Sequence, residues 1–269
     1  MEFRKQIEKK FHNKIRDEKL RRDIDRYKHL TSNKKFYSIA RKSRGFINKF
    51  LIKECPGKKV LDYCCGNGET ALFLAKKGAQ AVGIDISATS IENAKKAAAA
   101  EGLKKEASFL VMDAENLKFD DNYFDLIVCR GVLHHLDVGK AYFELARVLK
   151  PGGKIICAEP LVYNPVFQLY RRKTPNLRTK WEMEHILSKK EINLAKKYFG
   201  KVQIRFFHLV SLAAVPFRHF PVFGFILSLL EIVDSILLKL PAIKWLAWQV
   251  VFILSDPKKI KTKLPPPKR

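Results

Sequence analysis

Charged side chains recur after short apolar runs of this sequence, at positions where β-strands are expected to end. The set comprises Asp62, Asp85, Asp113, Arg130 and Glu159. Carboxylates accept hydrogen bonds from hydroxyl and amino groups and attract cations, so four of them favour a polar ligand that carries positive charge. Capping of neighbouring helices would explain one or two of these residues, but it does not account for all five.

A glycine-containing loop, residues 64–68, follows Asp62 and precedes a helical pattern. Gly66-x-Gly68-x-x-Ala71 is similar to a dinucleotide-binding fingerprint, in which a diphosphate rests against a helix N-terminus. The carboxylate of Asp62 would repel that diphosphate, whereas it would attract an ammonium or sulfonium group. The loop therefore favours a cationic ligand, and a dinucleotide oxidoreductase is the weaker alternative.

Two adjacent histidines follow the fourth predicted strand. His134 and His135 are candidate general bases for a reaction in which the acceptor loses a proton, and Glu159 is a third candidate. Histidines in such a turn can also hold it by hydrogen bonds, which is the structural alternative. The cysteines do not have the paired spacing of a zinc site, and we expect no metal.

Short apolar runs alternate with helical patterns from residue 59 to residue 158. This alternation indicates an α/β fold with a doubly wound, mostly parallel sheet and helices on both faces. In such a sheet ligands bind beyond the carboxyl ends of the strands, where the charged set lies. The predicted strands, seven in all, are Lys59–Tyr63, Ala81–Ile86, Ala107–Met112, Phe124–Cys129, Lys154–Ala158, Lys201–Leu209 and Trp245–Ser255.

Five segments between Val60 and Pro160 read VLDYCCGNG, GIDIS, VMDAENLKF, FDLIVCRGVLHHL and KPGGKIICAEP. In order and spacing they resemble the class I S-adenosylmethionine-dependent methyltransferases, and the type 11 methyltransferases among them. The resemblance implies a Rossmann-like fold, S-adenosylmethionine as the cofactor, and an enzyme that transfers its methyl group.

The resemblance also implies which residues bind the cofactor. The implied positions are Asp62, Cys64, Gly66, Gly68, Asp85, Ile86, Asp113, Ala114 and Arg130. Asp62 and the glycine loop hold the methionine end, with Arg130 beside it. Asp85 takes the ribose hydroxyls, and Asp113 accepts from the adenine amine. Cys64 is a departure, because the family usually has glycine there, so the backbone approaches the cofactor less freely.

The sequence divides into five regions around this core. We expect a basic helical extension or lid at 1–54, the cofactor-binding core at 55–160, a substrate-pocket or lid segment at 161–200, the last two strands with a hydrophobic insertion at 201–257, and a polybasic tail at 258–269. The insertion itself covers residues 211–244.

Placed on a helix, Val222–Leu240 has an apolar face wider than one core contact requires. Its narrow polar stripe consists of Gly224, Ser228, Glu231, Ser235 and Lys239, with Asp234 alongside. The apolar face could lie in a membrane interface, close a dimer or cover a sheet edge. Glu231 and Asp234 do not suit an anionic membrane, but the flanking Arg218 and Lys244 and the polybasic tail favour one.

The net charge of +25 over 269 residues indicates an anionic partner, either nucleic acid or an acidic membrane. No segment reaches the ~20 apolar residues that span a bilayer, and the N-terminus has no apolar signal stretch. We therefore expect a cytoplasmic protein bound peripherally to the cytoplasmic face of a membrane. Nucleic acid is the less favoured partner, because no RNA-binding motif is appended.

A membrane-docked methyltransferase would take a hydrophobic or lipid-like small molecule as its substrate. The polar candidates for the substrate pocket are Tyr163, Asn164, Arg171, Arg172, Arg178 and His185. Paired arginines suit a phosphate headgroup, although solvated surface charge is an equal alternative for each residue. An RNA methyltransferase and a non-catalytic module that keeps the fold for membrane or partner binding are the alternative functions.

Overall fold

The computed structural model of the chain describes residues 2–17 and 32–259. Residues 18–31 of the predicted extension and residues 260–269 of the predicted tail lie outside the described residues. The extension contributes helix α1 (Phe3–Arg16), a 3-10 helix at Ser32–Ile39 and helix α2 (Arg41–Glu54).

Seven strands form one mixed sheet in the order β3-β2-β1-β4-β5-β7-β6. The strands are β1 (Lys59–Tyr63), β2 (Gln80–Asp85), β3 (Ala107–Val111), β4 (Phe124–Arg130), β5 (Leu149–Pro160), β6 (Phe199–Phe207) and β7 (Gln249–Pro257). β1 to β5 pair in parallel, whereas β7 runs antiparallel to both β5 and β6. The prediction of a mostly parallel, seven-stranded sheet is confirmed.

The last two strands occupy slightly different positions from the predicted ones. β6 ends at Phe207, earlier than predicted, because His208 has a positive φ of 64° through which a strand cannot continue. β7 begins at Gln249, later than predicted, because a 3-10 helix at Ile243–Leu246 precedes it. These shifts leave the order of the elements unchanged.

Helices cover both faces of the sheet, because successive residues of a strand point to opposite faces. The remaining helices are α3 (Glu69–Ala75), α4 (Ala88–Ala100), α5 (Val138–Val148), α6 (Pro165–Lys173), α7 (Lys180–Glu184), α8 (Lys189–Tyr198) and α9 (Phe223–Leu237). Leu126 of β4 packs in a cluster with Leu51 of α2. Its neighbour Ile127 packs in a separate cluster with Tyr142 of α5. The doubly wound arrangement is thus confirmed.

Helix α9 lies in the insertion between β6 and β7. A 3-10 helix at Val210–Phe217 leads into it. Leu227 of α9 joins Phe36, Phe167 and Trp248 in a small apolar cluster separate from the main cores. Among the described residues, no helix combines the length and apolar content needed to cross a bilayer.

Candidate functional site

Two buried carboxylates flank the glycine loop at the carboxyl ends of β1 and β2. Asp85 accepts hydrogen bonds from the backbone N–H of Gly66 and from that of Ser87, each at 2.9 Å. Asp62 accepts from the N–H of Ala71 in the first turn of α3 at 3.0 Å. These bonds fix both carboxylates beside the loop, and Asp62 also satisfies an unpaired donor of the helix N-terminus.

The loop has a backbone conformation that favours glycine. Cys64, Gly66 and Gly68 all have positive φ, at 58°, 56° and 82°. A Cβ on Gly68 would lie only 2.6 Å from the ring of Phe109, so only glycine fits this position. The left-handed conformation of Cys64 explains why the family that this chain resembles usually has glycine at this position. For a cysteine this conformation is strained.

Burial is the main influence on the carboxyl group of Asp62. It raises the pKa of Asp62 to about 7, although the hydrogen bond from Ala71 and the charge of Arg130 act in the opposite direction. A carboxyl group with this pKa is partly protonated at neutral pH. A cationic ligand placed beside Asp62 would favour the ionised form.

The ends of β3 and β4 complete the predicted cofactor positions. Ile86, Asp113 and Ala114 line a small cavity of about 80 Å³ together with Cys64 and Asp85. Arg130, at the end of β4, instead lines a second cavity over the same edge of the sheet, which we call the main cavity. The structure therefore brings the predicted cofactor residues together at one edge of the sheet.

Basic residues of α1 pair with two of these carboxylates. Lys5 Nζ lies 2.7 Å from Asp113 Oδ2. Arg16 Nη1 lies 3.3 Å from Asp85 Oδ2 and donates to Ser90 Oγ at 2.6 Å. A ligand that binds Asp85 and Asp113 must share these carboxylates with the α1 cations or displace them, so α1 belongs to the site.

A hydrogen-bonded cluster joins α1 to the second predicted histidine. Glu8 Oε2 lies 3.1 Å from His135 Nδ1 and 3.4 Å from His12 Nε2. Burial opposes charge on Glu8, but hydrogen bonds with His12, His135 and Thr179 together lower the pKa of this carboxyl group. Burial also opposes charge on His135, but the hydrogen bond with Glu8 and the nearby carboxylates together raise its pKa. Among the described residues, Glu8, His12 and His135 have ligand atoms within 4.8 Å of one another, so this cluster is a candidate for holding a metal ion.

His134 and Glu159 form a buried pair on the side of the main cavity. His134 Nδ1 donates to Glu159 Oε2 at 2.6 Å. The other oxygen of Glu159 accepts from the backbone N–H groups of Val132 and Leu133, at 2.8 and 2.9 Å. Glu159 therefore holds the turn and orients His134, whose Nε2 is the ring nitrogen left for a substrate. The structural alternative is thus observed, and a catalytic role for His134 and Glu159 stays a prediction.

The main cavity has a volume of about 490 Å³ and runs over the carboxyl edge of the sheet. Its lining includes Gly66 of the loop, His134 and His135, and the aromatic rings of Tyr37 and Trp248. Polar loop groups and aromatic side chains thus face one enclosure. This composition suits a small molecule with a charged part and an apolar part.

Two of the predicted substrate residues line this cavity. Arg171 and Arg178 are both buried beside Glu182. Arg171 donates to the Glu182 backbone oxygen at 2.6 Å, and Arg178 Nε lies 3.5 Å from the carboxylate. The two guanidinium groups share one carboxylate, that of Glu182, so the arginine pair retains net positive charge.

The other four predicted substrate residues lie outside the cavity lining. Asn164 is buried, caps α6 through Phe167 N–H and donates to Leu246 O. His185 stacks on Trp181, with ring centroids 3.5 Å apart. Tyr163 accepts a hydrogen bond from a backbone N–H of α8, and Arg172 is exposed. A substrate role for these residues stays a prediction.

Helix α1 and an aromatic wall, formed by Tyr37, Phe167 and Trp248, contribute to the site, and neither contribution was predicted from the sequence. Glu8, His12 and Arg16 repeat at four-residue spacing, which places them on one helix face, and this pattern could have been found. Tyr37, Phe167 and Trp248 also line the cavity, but their separation in sequence carries no signal that they meet.

The central part of the chain matches known proteins. Residues 61–157 match a family described as "Methyltransferase domain". The methyltransferase GfsG of Streptomyces halstedii is 39% identical over 108 residues, which are 39% of this chain and 39% of that protein. The chloroplastic tocopherol O-methyltransferase of Arabidopsis thaliana is 43% identical over 101 residues, 37% of this chain and 29% of that protein. The matches span less than two thirds of these relatives.

Solved structures share the fold over a larger part of the chain. The PH0226 protein of Pyrococcus horikoshii matches with a TM-score of 0.55 and 21% identity, over 81% of this chain and 91% of that chain. Phosphoethanolamine N-methyltransferase 2 of Haemonchus contortus, in complex with phosphomonomethylethanolamine and S-adenosylhomocysteine, matches with a TM-score of 0.53 and 21% identity, over 76% and 50%. At this identity the likeness supports the fold alone.

Proposed function

We propose that this chain, whose residues 61–157 match a methyltransferase domain family, transfers a methyl group from S-adenosylmethionine to a hydrophobic, lipid-like small molecule at a membrane surface. One observation carries the proposal. A single cavity is lined both by Gly66 and Arg130 at the strand ends and by Phe167 and Trp248 of the aromatic wall. A cationic donor and an apolar acceptor can therefore meet in one enclosure.

The donor site suits a sulfonium compound better than a diphosphate. S-adenosylmethionine supplies a methyl group that its positive sulfur already activates, so the chain must hold the donor, align the acceptor and exclude water. Asp62 and the 64–68 loop face the methionine part, Asp85 the ribose hydroxyls and Asp113 the adenine amine, as in the family. Both Asp62 and Asp85 are buried at this loop, where a diphosphate would meet two carboxylates.

The acceptor site combines an apolar wall with buried positive charge. Tyr37, Phe167 and Trp248 supply the aromatic surface, and Arg171 and Arg178 supply the guanidinium groups. Such a lining fits a molecule with an apolar body and a polar or anionic head. A relative named for its action on tocopherol is consistent with an acceptor of this class.

His134 is the residue proposed to take the acceptor's proton. Its Nδ1–H is held by Glu159, which fixes the tautomer and leaves Nε2 as the proton acceptor. An acceptor hydroxyl, amine or acidic carbon that gains the methyl group would pass its proton to this nitrogen. His135 is hydrogen-bonded to Glu8 through its own Nδ1; burial opposes its charge, but this bond and the nearby carboxylates raise its pKa.

Donor affinity is expected to rise with pH, because Asp62 has a pKa of about 7 in the free protein. A cationic donor selects the carboxylate, whose population grows about eightfold between pH 6 and 7.5, so the dissociation constant should fall by about that factor. Calorimetric titrations with S-adenosylmethionine between about pH 6 and 7.5 measure this change in affinity. The interval lies below the usual pKa of an α-amino group, ~8. Asp62→Asn is the control, and in this variant the dissociation constant should no longer change with pH. An unchanged slope would mean that another group causes the pH dependence.

The methyl acceptor can be identified by labelling. The full chain is incubated with S-adenosylmethionine carrying an isotopically labelled methyl group and with either a total lipid extract or total RNA. We expect the label in a defined apolar species, heavier by one labelled methylene in mass spectrometry. Label in RNA and not in lipid would contradict the proposal and support the RNA methyltransferase that the net charge of +25 also favours.

A further inference from the structure

Helix α9 has its polar side turned inward and its apolar side turned outward. Glu231 and Asp234 are only 6% and 5% exposed, whereas Phe225, Ile232 and Ile236 are 69%, 59% and 60% exposed. A surface helix of a water-soluble protein normally has the reverse orientation. Glu231 and Asp234, which do not suit an anionic membrane, therefore do not oppose docking of this helix, because the fold pairs both acids internally.

Specific bonds fix this orientation. Arg41 of α2 binds the Glu231 carboxylate through Nε at 2.8 Å and Nη2 at 2.7 Å, and also donates to Ser228 Oγ at 2.8 Å. Asp234 accepts from the backbone N–H groups of Val210 at 2.7 Å and Leu209 at 3.2 Å. Turning α9 over would leave buried charges and backbone donors without partners, so the apolar side remains outward.

The outward side forms one apolar stripe. Phe225, Leu229, Ile232 and Ile236 follow one another at three- or four-residue steps, so they share one helix face. Phe220 lies before the helix and Leu240 after it, and both are exposed. We call these six residues the α9 face. An exposed apolar surface of this kind marks a place where another apolar phase or partner is bound.

The charges around the α9 face are positive. Between residues 209 and 248 the acids are Glu231 and Asp234, both buried, whereas Arg218, Lys239 and Lys244 flank the apolar stripe in the sequence. Two copies joined through this face would bring these cations and two net charges of +25 together. An anionic surface attracts the same cations. The charge pattern thus favours a membrane over a second copy of the chain.

We infer that the α9 face docks on an anionic lipid bilayer, with α9 lying in the membrane plane and its six apolar side chains in the boundary between headgroups and acyl chains. The 15 residues of α9 make a helix roughly 22 Å long, which lies on the bilayer rather than across it. Arg218, Lys239 and Lys244 contact the anionic headgroups.

Docking would also place the cavity near the lipid. Leu227, on the inner side of α9, packs in one cluster with Phe167 and Trp248. Those two aromatic residues line the cavity. Only this last step, the delivery of a lipid-like acceptor from the bilayer to the cavity, rests on the proposed function. The docking itself is independent of methyl transfer.

Vesicle flotation tests the inference directly. The full chain is mixed with vesicles of phosphatidylcholine alone or of phosphatidylcholine with phosphatidylglycerol. We expect binding to the anionic vesicles, weakened by added salt, and a loss of at least about tenfold in Phe225→Asn/Ile232→Asn. Leu110→Asn/Val111→Asn is the matched control, because these residues are exposed on β3 outside the α9 face, and it should bind like the original chain.

Three results would overturn the inference. These are absence of binding to both vesicle types, an equal loss in the β3 control, and a dimer in light scattering that Phe225→Asn/Ile232→Asn dissociates. Equal binding to neutral and anionic vesicles would contradict the claim that docking requires anionic lipid. Donor binding by Phe225→Asn/Ile232→Asn, measured by calorimetry, should stay unchanged and shows that the variant is folded. A chain that docks but methylates nothing would contradict the proposed function and leave docking intact.

Discussion

Glu159→Gln is expected to lower kcat by about 100-fold while leaving donor affinity unchanged. The glutamine carbonyl can still accept from Val132 and Leu133 N–H, so the turn is retained. Its amide nitrogen then faces His134 Nδ1 and donates to it, which moves the ring proton to Nε2. The nitrogen that should accept the substrate's proton would already carry one. Single-turnover methylation and calorimetry separate these two effects.

Glu144→Gln is the matched control for this prediction. Glu144 is also a buried carboxylate that accepts from a backbone N–H, that of Leu117 at 2.7 Å, and it is bound to Arg147 outside the cavity. We expect a loss of stability in this variant without a loss of kcat. Equal kcat in Glu159→Gln and the original chain would contradict proton transfer through His134 and leave Glu159 as a structural residue.

Gly68→Ala is expected to destabilise the fold by about 2–5 kcal/mol, the second large effect. The positive φ of 82° strains any side chain by about 1–2 kcal/mol. The added Cβ would also lie 2.6 Å from the Phe109 ring and 2.9 Å from Ala94 Cβ, and overpacking of this kind costs about 1–3 kcal/mol. Urea unfolding measures the change in the free energy of unfolding.

Gly102→Ala separates the two contributions. Gly102 has a similar φ of 71°, but its added Cβ would have open space around it. It should therefore lose only about 1–2 kcal/mol, from strain alone. An equal loss in both variants would mean that the contacts of Gly68 with Phe109 and Ala94 do not limit this position.

The sheet was predictable because its signals are local. The alternation of apolar runs with helical patterns specified the seven strands, and the residues that end β1 to β4 were placed correctly at one edge. The capping box of Ser188 and Glu191 at the start of α8 is another local signal, because its interaction spans one helical turn.

The arrangement of distant segments was not predictable from the sequence. Arg16 reaches Asp85 across 69 residues, and Arg41 reaches Glu231 across 190 residues. The polar stripe of α9 showed which residues share a face, but periodicity does not say whether that face points inward or outward. The partner that decides the orientation, Arg41, lies in a basic extension where every cation looks equivalent in the sequence.

Calorimetric titration of the full chain with S-adenosylmethionine and, separately, with NADH tests the central claim most directly. The account predicts saturable binding of S-adenosylmethionine, weakened about tenfold or more by Asp85→Asn, which removes a charged hydrogen-bond acceptor from the loop. Asp125→Asn, at the opposite edge of the sheet and bound to Lys150, should leave the affinity unchanged. Binding of NADH without binding of S-adenosylmethionine would contradict the account.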